Sequence, residues 1–599
     1  MLKIKYKYFY RVMFMFKYIE TIEKNLSDED KDSLKAIYEP TIVAVPFGDA
    51  TRNLCVTENG EIRVYGKEGP FNHWGAQGDK TVYISSFDGG LSWKKHYVKD
   101  MLSIGSSGFN RETGRYISVY PNEFRCEWNS LIGKKGTWAV INDENIDSSN
   151  NKYAKIADFE IACLKHPYYF ESCKRWFVVG ECWTEQKTKC ITVSYSDDDG
   201  ENWTTNILEK HAPLFEKKPP HEGMRWQEYS CEPTLAELDN GEFIIYVRTS
   251  QDYHYMYSSE DFGETWSDPE PTNFHGTITM PILHKLRDGR IVFFWCNTQP
   301  MPEIDQTAVK PPLPVDETNG RWEDVFTNRD VNHLAISEDN CKTWHGLREL
   351  LLNPVRFNAD FRRTGGFANG DKSVHQAQML ELPFNKLLIH CGQHNACRKV
   401  IILDIDWLYE TERKEDFILG LTNLTTHMYL KSVIGCKKGR RGHCAYNRTN
   451  GAVLLPSPDL DNEEVLSIGR IEDERLVYKK QGAVWNFPAS KKGTVAVELN
   501  VLKSGVLLSL CDHWCNAFDE TVEEQSFMSY KVENSNGWEK IALDYDTENQ
   551  KVFIKINGET VEKIITDKKA PLGLSYLHIQ TLAEKEDFKG TIIREISKK

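Results

Sequence analysis

What this chain of 599 residues has little of narrows its class before any motif is read. It has no excess of basic charge: 74 Lys and Arg stand against 88 Asp and Glu, a formal net charge of −14. That leaves no chain-wide footprint for nucleic acid or an anionic membrane surface, so any anionic partner must be met by a local basic pocket. It has no apolar run approaching the roughly 18 residues of a membrane span. The basic, aromatic stretch MLKIKYKYFYRVMFMFKYIETIEKN is broken by Lys7, Arg11 and Lys17 and is followed by no small-residue cleavage site, and so reads as a non-signal. The 15 cysteines are odd in number and scattered, without paired C-x-x-C spacing, so neither a disulfide framework nor a metal site is signalled. These absences lead to the expectation of a soluble, cytoplasmic chain with no nucleic-acid or membrane partner and no metal or cofactor; oligomeric state stays open.

What is there is length and one repeated phrase. A chain this long exceeds a single compact core, and at least two domains are expected. The phrase is S-x-D-x-G-x-x-W. It occurs as Ser86, Asp88, Gly90 and Trp93; as Ser196, Asp198, Gly200 and Trp203; as Ser259, Asp261, Gly263 and Trp266; and as Ser337, Asp339, Cys341 and Trp344, where the Gly has been lost. Each copy follows a strand-like run (TVYIS, CITVSYS, YHYMYS, NHLAIS) and precedes another extended stretch, which places it on a hairpin turn. There Asp can accept from turn amides, Gly can take a positive φ, and Trp can fold back as a plug.

One copy is an ordinary turn of a β protein; four in register signal a repeat architecture, and four-stranded units arranged radially make a β-propeller. The interval between the first and second copies is about twice the others, so one unit between Trp93 and Ser196 is expected to lack the phrase. Residues 38–410 then hold six blades of roughly 60 residues each, after an N-terminal extension over 1–37. LDIDWLYETERKEDF (403–417) reads as a short helical connector. From there to 599 the runs GTVAVELNVL, GVLLSLCDHW and KIALDYDTENQKVFIKING predict a second all-β domain, a jelly-roll-like β-sandwich over 411–599. Within it, DHWCNAFD (512–519) mixes polar and aromatic residues and is read as packing. The fold class is therefore all-β, a six-bladed β-propeller followed by a sandwich.

The phrase is the Asp-box, and over roughly residues 40 to 400 the chain resembles the sialidase (neuraminidase) superfamily. That resemblance implies a site with three arginines around a substrate carboxylate, an Asp acid/base, and a Tyr nucleophile paired with a Glu. The first arginine opens a strand-turn-strand layout, which TRNLCVTENGEIRVYG matches with Arg52, although Asn53 and Leu54 replace the usual Ile-Pro. The second stretch, CEPTLAELDNGEFIIYVRTSQDYHYMYSSEDFGETW, supplies Glu232 and Arg248; NRDVNHLAIS supplies Arg329 ahead of Ser337. Three convergent guanidiniums suit a carboxylate because each offers forked donors, whereas any one alone is as readily a surface ion pair.

The catalytic pair of the family is not matched. The loop GPFNHWGAQGDK carries His73 and Trp74 where the family has its acid/base Asp, and Asp79 lies close to the strand. His73 can exchange a proton near neutral pH; alternatively it forms with Trp74 an aromatic floor for a sugar ring. In place of the Tyr, GDKSVHQAQMLELPF offers His375 and Gln376. In HEGMRWQEYSCEP, Arg225, Glu228 and Glu232 cluster, and two carboxyls of such a set can act as acid and base or nucleophile, or form only a solvated loop. The resemblance thus implies an exo-acting glycosidase removing a terminal acidic sugar from a glycan. Candidate catalytic residues are His73, Glu232, His375 and Glu228, with Arg52, Arg248, Arg329, Arg225, Trp74 and Gln376 holding substrate. A lyase acting beside a uronic carboxylate and a non-catalytic carbohydrate-binding propeller are the alternatives.

Overall fold

The computed structural model describes residues 17–45, 54–68, 71–72, 75–76, 80–97, 106–119, 136–144, 146, 150–162, 167–185, 188–216, 229–276, 278–299, 329–353, 373–392, 397–433 and 446–599. Among the described residues the structure is all-β apart from short helices. Those between 41 and 404 form six four-stranded antiparallel sheets in chain order. Sheet I holds strands Leu54–Val56, Ile62–Glu68, Lys80–Ser86 and Lys94–Tyr97; sheet II, Ser106–Asn110, Arg115–Val119, Thr137–Asn142 and Lys152–Ala157; sheet III, Tyr168–Phe170, Arg175–Trp183, Lys189–Ser196 and Thr204–Leu208. Sheet IV holds Cys231–Glu237, Phe243–Arg248, Tyr253–Ser259 and Glu270–His275; sheet V, Ile282–Lys285, Ile291–Trp295, Val331–Ser337 and His345–Leu352. Sheet VI joins Ala377–Leu382, Lys386–Cys391 and Lys399–Asp404 to the early strand Thr41–Ala44, so the two ends of this region are paired with Thr41 opposite Ile402.

The second strands read as continuous apolar runs, FIIYVR, IVFFW and KLLIHC, and are buried along their whole length. A sheet covered on both faces requires this pattern. The covering comes from the neighbouring sheets. Tyr65 of I packs with Tyr116 of II, Ile141 of II with Trp176 of III, and Phe177 of III with Phe243 of IV. Tyr246 of IV packs with Phe293 of V, Phe294 of V with Ile389 of VI, and Leu388 of VI with Ile62 of I. Helices α1 (Lys17–Asn25) and α2 (Asp28–Ala36), with Leu26 between them, place Ile22, Leu26 and Leu34 in the cluster shared by VI and I. A capping box between Ser27 and Asp30 starts α2.

The four repeated turns fold alike. Ser86 Oγ donates to Asp88 and accepts from Gly90 N at 2.8 Å, and Trp93 Nε1 donates to the Gly90 carbonyl at 2.8 Å. The same bonds recur at Ser196, Ser259 and Ser337. Gly90, Gly200 and Gly263 have φ of +94°, +89° and +81°, and Cys341 takes +64° in the copy that lost its glycine. Each tryptophan enters the core shared with the preceding sheet: Trp93 with VI, Trp203 with II, Trp266 with III and Trp344 with IV. Sheet II carries no such turn, in agreement with the long first interval.

The segment read as a helical connector is a 3₁₀ helix over Ile405–Tyr409, followed by strand Arg413–Glu415, which pairs with the last strand, Asp587–Lys598. Beyond it an eight-stranded and a five-stranded antiparallel sheet lie over one core, with Trp485, Leu508 and Ile579 from the smaller sheet packed among Val497, Leu543 and Ile593 from the larger. This layered unit abuts sheet V. Asn486 Oδ1 accepts from Glu349 N at 3.0 Å, its Nδ2 donates to Leu347 O at 3.1 Å, and Tyr576 OH donates to Glu349 at 2.8 Å.

Candidate functional site

In an antiparallel sheet the start of the first strand, the end of the second and the start of the third share one edge. Glu232, Arg248, Arg329, His375 and Gln376 all occupy such positions, in sheets IV, V and VI. The sequence at Glu232 explains its local geometry. Pro233 has no amide hydrogen for the ladder, so the pairing breaks between Cys231↔Arg248 and Thr234↔Tyr246, a bulge of the kind that re-aims a side chain. Glu232 sits there at φ +47°. Its amide donates to Glu181 Oε2 at 2.8 Å, and Glu181 Oε1 lies 3.0 Å from Lys189 Nζ. Its carboxylate Oε2 accepts from Arg248 Nη1 at 2.9 Å.

The short connection from sheet IV to sheet V draws the other residues together. Ile278 N donates to the Thr249 carbonyl, next to Arg248, at 3.0 Å; Ile278 O accepts from Arg329 Nη2; and Met280 N donates to His375 Nε2. Arg329 O in turn accepts from Val374 N at 3.0 Å. Ile278 holds φ +50° and Gln376 φ +74°. A β-branched residue in the left-handed region is strongly disfavoured, and non-glycine residues held there cluster where a site over-determines the backbone. His375 is fully buried with Nε2 engaged by a backbone amide; a ring so placed is a strut for the 278–280 segment. Gln376 is buried too, its carbonyl accepting from Gly392 N at 3.0 Å.

Arg52, His73, Trp74, Arg225 and Glu228 lie outside the described residues. Two positions after Arg52, Leu54 N donates to Gln378 Oε1 at 2.6 Å, which ties the first strand of sheet I to that of sheet VI.

Sequence reasoning missed Asp330, the residue after Arg329. It is fully buried and accepts from four groups: Asn353 Nδ2 at 3.0 Å, Arg448 Nη2 at 2.7 Å, His427 Nε2 at 2.9 Å and Tyr429 OH. Burial alone would raise the Asp330 carboxyl, but Arg448, His427 and Tyr429 outweigh it and hold it well below the usual carboxylate range. Three of these partners come from the chain beyond residue 411, so the backbone that carries Arg329 is anchored from the other unit. Nothing in the local sequence marks Asp330, since its partners lie up to 118 residues away.

Residues 164–357 match the BNR repeat-like domain family, a stretch that holds the repeated turns of sheets III to V. No curated protein matches the chain. Among solved structures, a protein of unknown function from Dyadobacter fermentans aligns at 14% identity over 61% of this chain and 97% of its own, with a TM-score of 0.37. Trypanosoma rangeli sialidase aligns at 12% identity over 92% of this chain and 91% of its own, with a TM-score of 0.36. The same sialidase in complex with sialic acid aligns at 12% identity over 94% of both chains, with a TM-score of 0.35.

Proposed function

We propose that this chain is an exo-acting glycoside hydrolase of sialidase type that removes a terminal, carboxylate-bearing sugar from a glycan. Its six sheets, over residues 38–410, are taken as the blades of a propeller, with a jelly-roll-like sandwich over 411–599. The ring of shared cores running from sheet I through sheet VI and back supports the first part.

The observation that carries the reading is that Ile278 bonds both Arg329 and Thr249, the residue after Arg248, at the edge where Glu232 meets Arg248. Arginines held at one edge by backbone and carboxylate partners are suited to fork onto a sugar carboxylate, with Arg52 completing the set and Arg225, Trp74 and Gln376 lining the sugar. For turnover, His73 would protonate the glycosidic oxygen as the bond to the anomeric carbon breaks, and Glu232, or Glu228 four positions before it in the sequence, would take a proton from the incoming water. His375 acts in this scheme as a positioning residue.

An NMR time course of the full chain with sialosides, other 2-keto-acid glycosides and uronides tests the reading. Appearance of a free reducing acidic sugar, absent with Glu232→Gln, is the expected result. A vinyl proton would replace hydrolysis with elimination, and ligand broadening without product would reduce the chain to a binding protein.

A further inference from the structure

Away from these arginines, three metal-type donors from the two halves of the chain converge. His275 ends the outer strand of sheet IV, and Asp512 and His513 follow the sandwich strand Val506–Cys511. Asp512 spans both imidazoles, Oδ2 lying 3.3 Å from His275 Nε2 and Oδ1 2.6 Å from His513 Nδ1. Donor atoms of all three residues lie within 4.8 Å of one another. The histidine side chains are 7% and 2% exposed and that of Asp512 is 20% exposed, so solvent reaches the cluster at the carboxylate.

The other nitrogen of each ring is also held. Gln299 Nε2 lies 3.1 Å from His275 Nδ1, and Cys515 Sγ lies 3.5 Å from His513 Nε2. This is how metal-binding imidazoles are built, one nitrogen on the ion and the other fixed by a hydrogen-bond partner that sets tautomer and orientation. Gln299 can present its oxygen after an amide flip, so His275 keeps a partner when Nδ1 carries the proton and Nε2 offers its lone pair. Cys515 sulfur can accept in the same way from His513 Nε2.

We propose that His275, Asp512 and His513 bind one divalent transition-metal ion of the zinc class, with a fourth position open to water. Two imidazoles and one carboxylate suit zinc and its neighbours and are unlike the all-oxygen shells of calcium or magnesium. Adjacent donors around a tetrahedral zinc are about 3.4 Å apart, close to the 3.3 Å already present between His275 Nε2 and Asp512 Oδ2. The ion would clamp the sandwich loop to the rim of the site face. That loop is already tied there by Trp514 N to Asn297 O at 2.9 Å and Asn297 Nδ2 to Asp512 O at 2.9 Å. Ile278 and Met280, which bond Arg329 and His375, follow His275 closely in the chain. Sequence reading found no metal spacing because His275 and Asp512 are 237 residues apart.

The test uses the full chain, stripped with a chelator and dialysed against zinc chloride, with zinc counted by elemental analysis and the thermal midpoint followed. The wild type is expected to take one zinc per chain and to melt higher with zinc than without. His275→Gln is expected to lose that equivalent, and Gln299→Ala, which spares the three ligands, to bind about 10-fold more weakly. No stoichiometric zinc in the wild type, or the same zinc with the same affinity in both variants, overturns the proposal. If His275→Gln does not fold, the wild-type cobalt adduct decides: visible d–d bands without a thiolate charge-transfer band support this donor set. Absent bands, or a thiolate band, overturn it.

Discussion

Arg248 Nη1 lies 2.9 Å from Glu232 Oε2, and the two side chains are only 8% and 12% exposed. The pair joins the end of one strand to the bulged start of its neighbour, and it orients a guanidinium at the edge where Arg329 is also held. Breaking a buried pair by removing one partner costs far more than the pair is worth, because a charge is left uncompensated. Arg248→Met is therefore expected to destabilise the chain by about 3–5 kcal/mol. Arg248→Met combined with Glu232→Gln should recover at least half of the loss. Urea denaturation of the two single variants and the double variant checks this.

Asp330 makes a second, independent expectation. Its carboxyl is held below the usual range, so the stability it contributes is fully present above the unfolded carboxylate range and is lost as pH falls through the depressed folded value. Asp330→Asn removes the carboxylate charge that Arg448 and His427 face in a buried setting and should cost about 3–5 kcal/mol near neutral pH, with a smaller difference from the wild type in strong acid. Chemical denaturation as a function of pH measures both.

Glu381 behaves in the opposite sense. Desolvation raises its carboxyl from 4.5 to about 7 even though Arg287 N donates to it and the Arg287 guanidinium lies 3.0 Å away. Because the folded value is the higher one, the folded chain holds the proton more tightly, and stability falls as pH rises from about 4.5 to about 7. Glu381→Gln should flatten that slope, leaving the variant more stable than the wild type at pH above about 7 and little changed at pH below about 4.5.

The repeated turns make a steric prediction. A Cβ at Gly263, whose φ is +81°, would lie 2.7 Å from Phe177 Cε1 in the preceding sheet. Gly263→Ala is expected to cost about 2–4 kcal/mol from the left-handed backbone and overpacking together. Gly241→Ala, also at φ +89° but with open space around it, should cost only the backbone part. Thermal unfolding of the two variants separates the contributions.

The turns were legible in the sequence because their chemistry is local: Ser86, Asp88, Gly90 and Trp93 satisfy one another within eight positions, and the strands on either side alternate or run apolar accordingly. Glu232 and Arg248 were singled out by resemblance to the sialidase pattern, in which one strand, a turn and a second strand separate the two. The supports of the site were not legible. Asp330 is held by residues 97, 99 and 118 positions away, and His375 meets Met280 across 95 positions. Such contacts are made by the stacking of sheets and the return of the second unit onto sheet V, which no spacing in the chain encodes. His375 carried a sequence signal only through the resemblance, as the residue standing where the family has its Tyr; its full burial is a property of packing.

We propose that this edge recognises a sugar through its carboxylate. Calorimetric titration of the full chain with sialic acid, other 2-keto-acid sugars and uronic acids, each paired with its methyl ester, tests it most directly. At least one free acid is expected to bind, with its ester weaker by about 100-fold, or about 2.7 kcal/mol, the loss of charge-assisted bonds to two arginines. An ester that binds as tightly as its acid, or a panel in which no acid binds, would contradict the account.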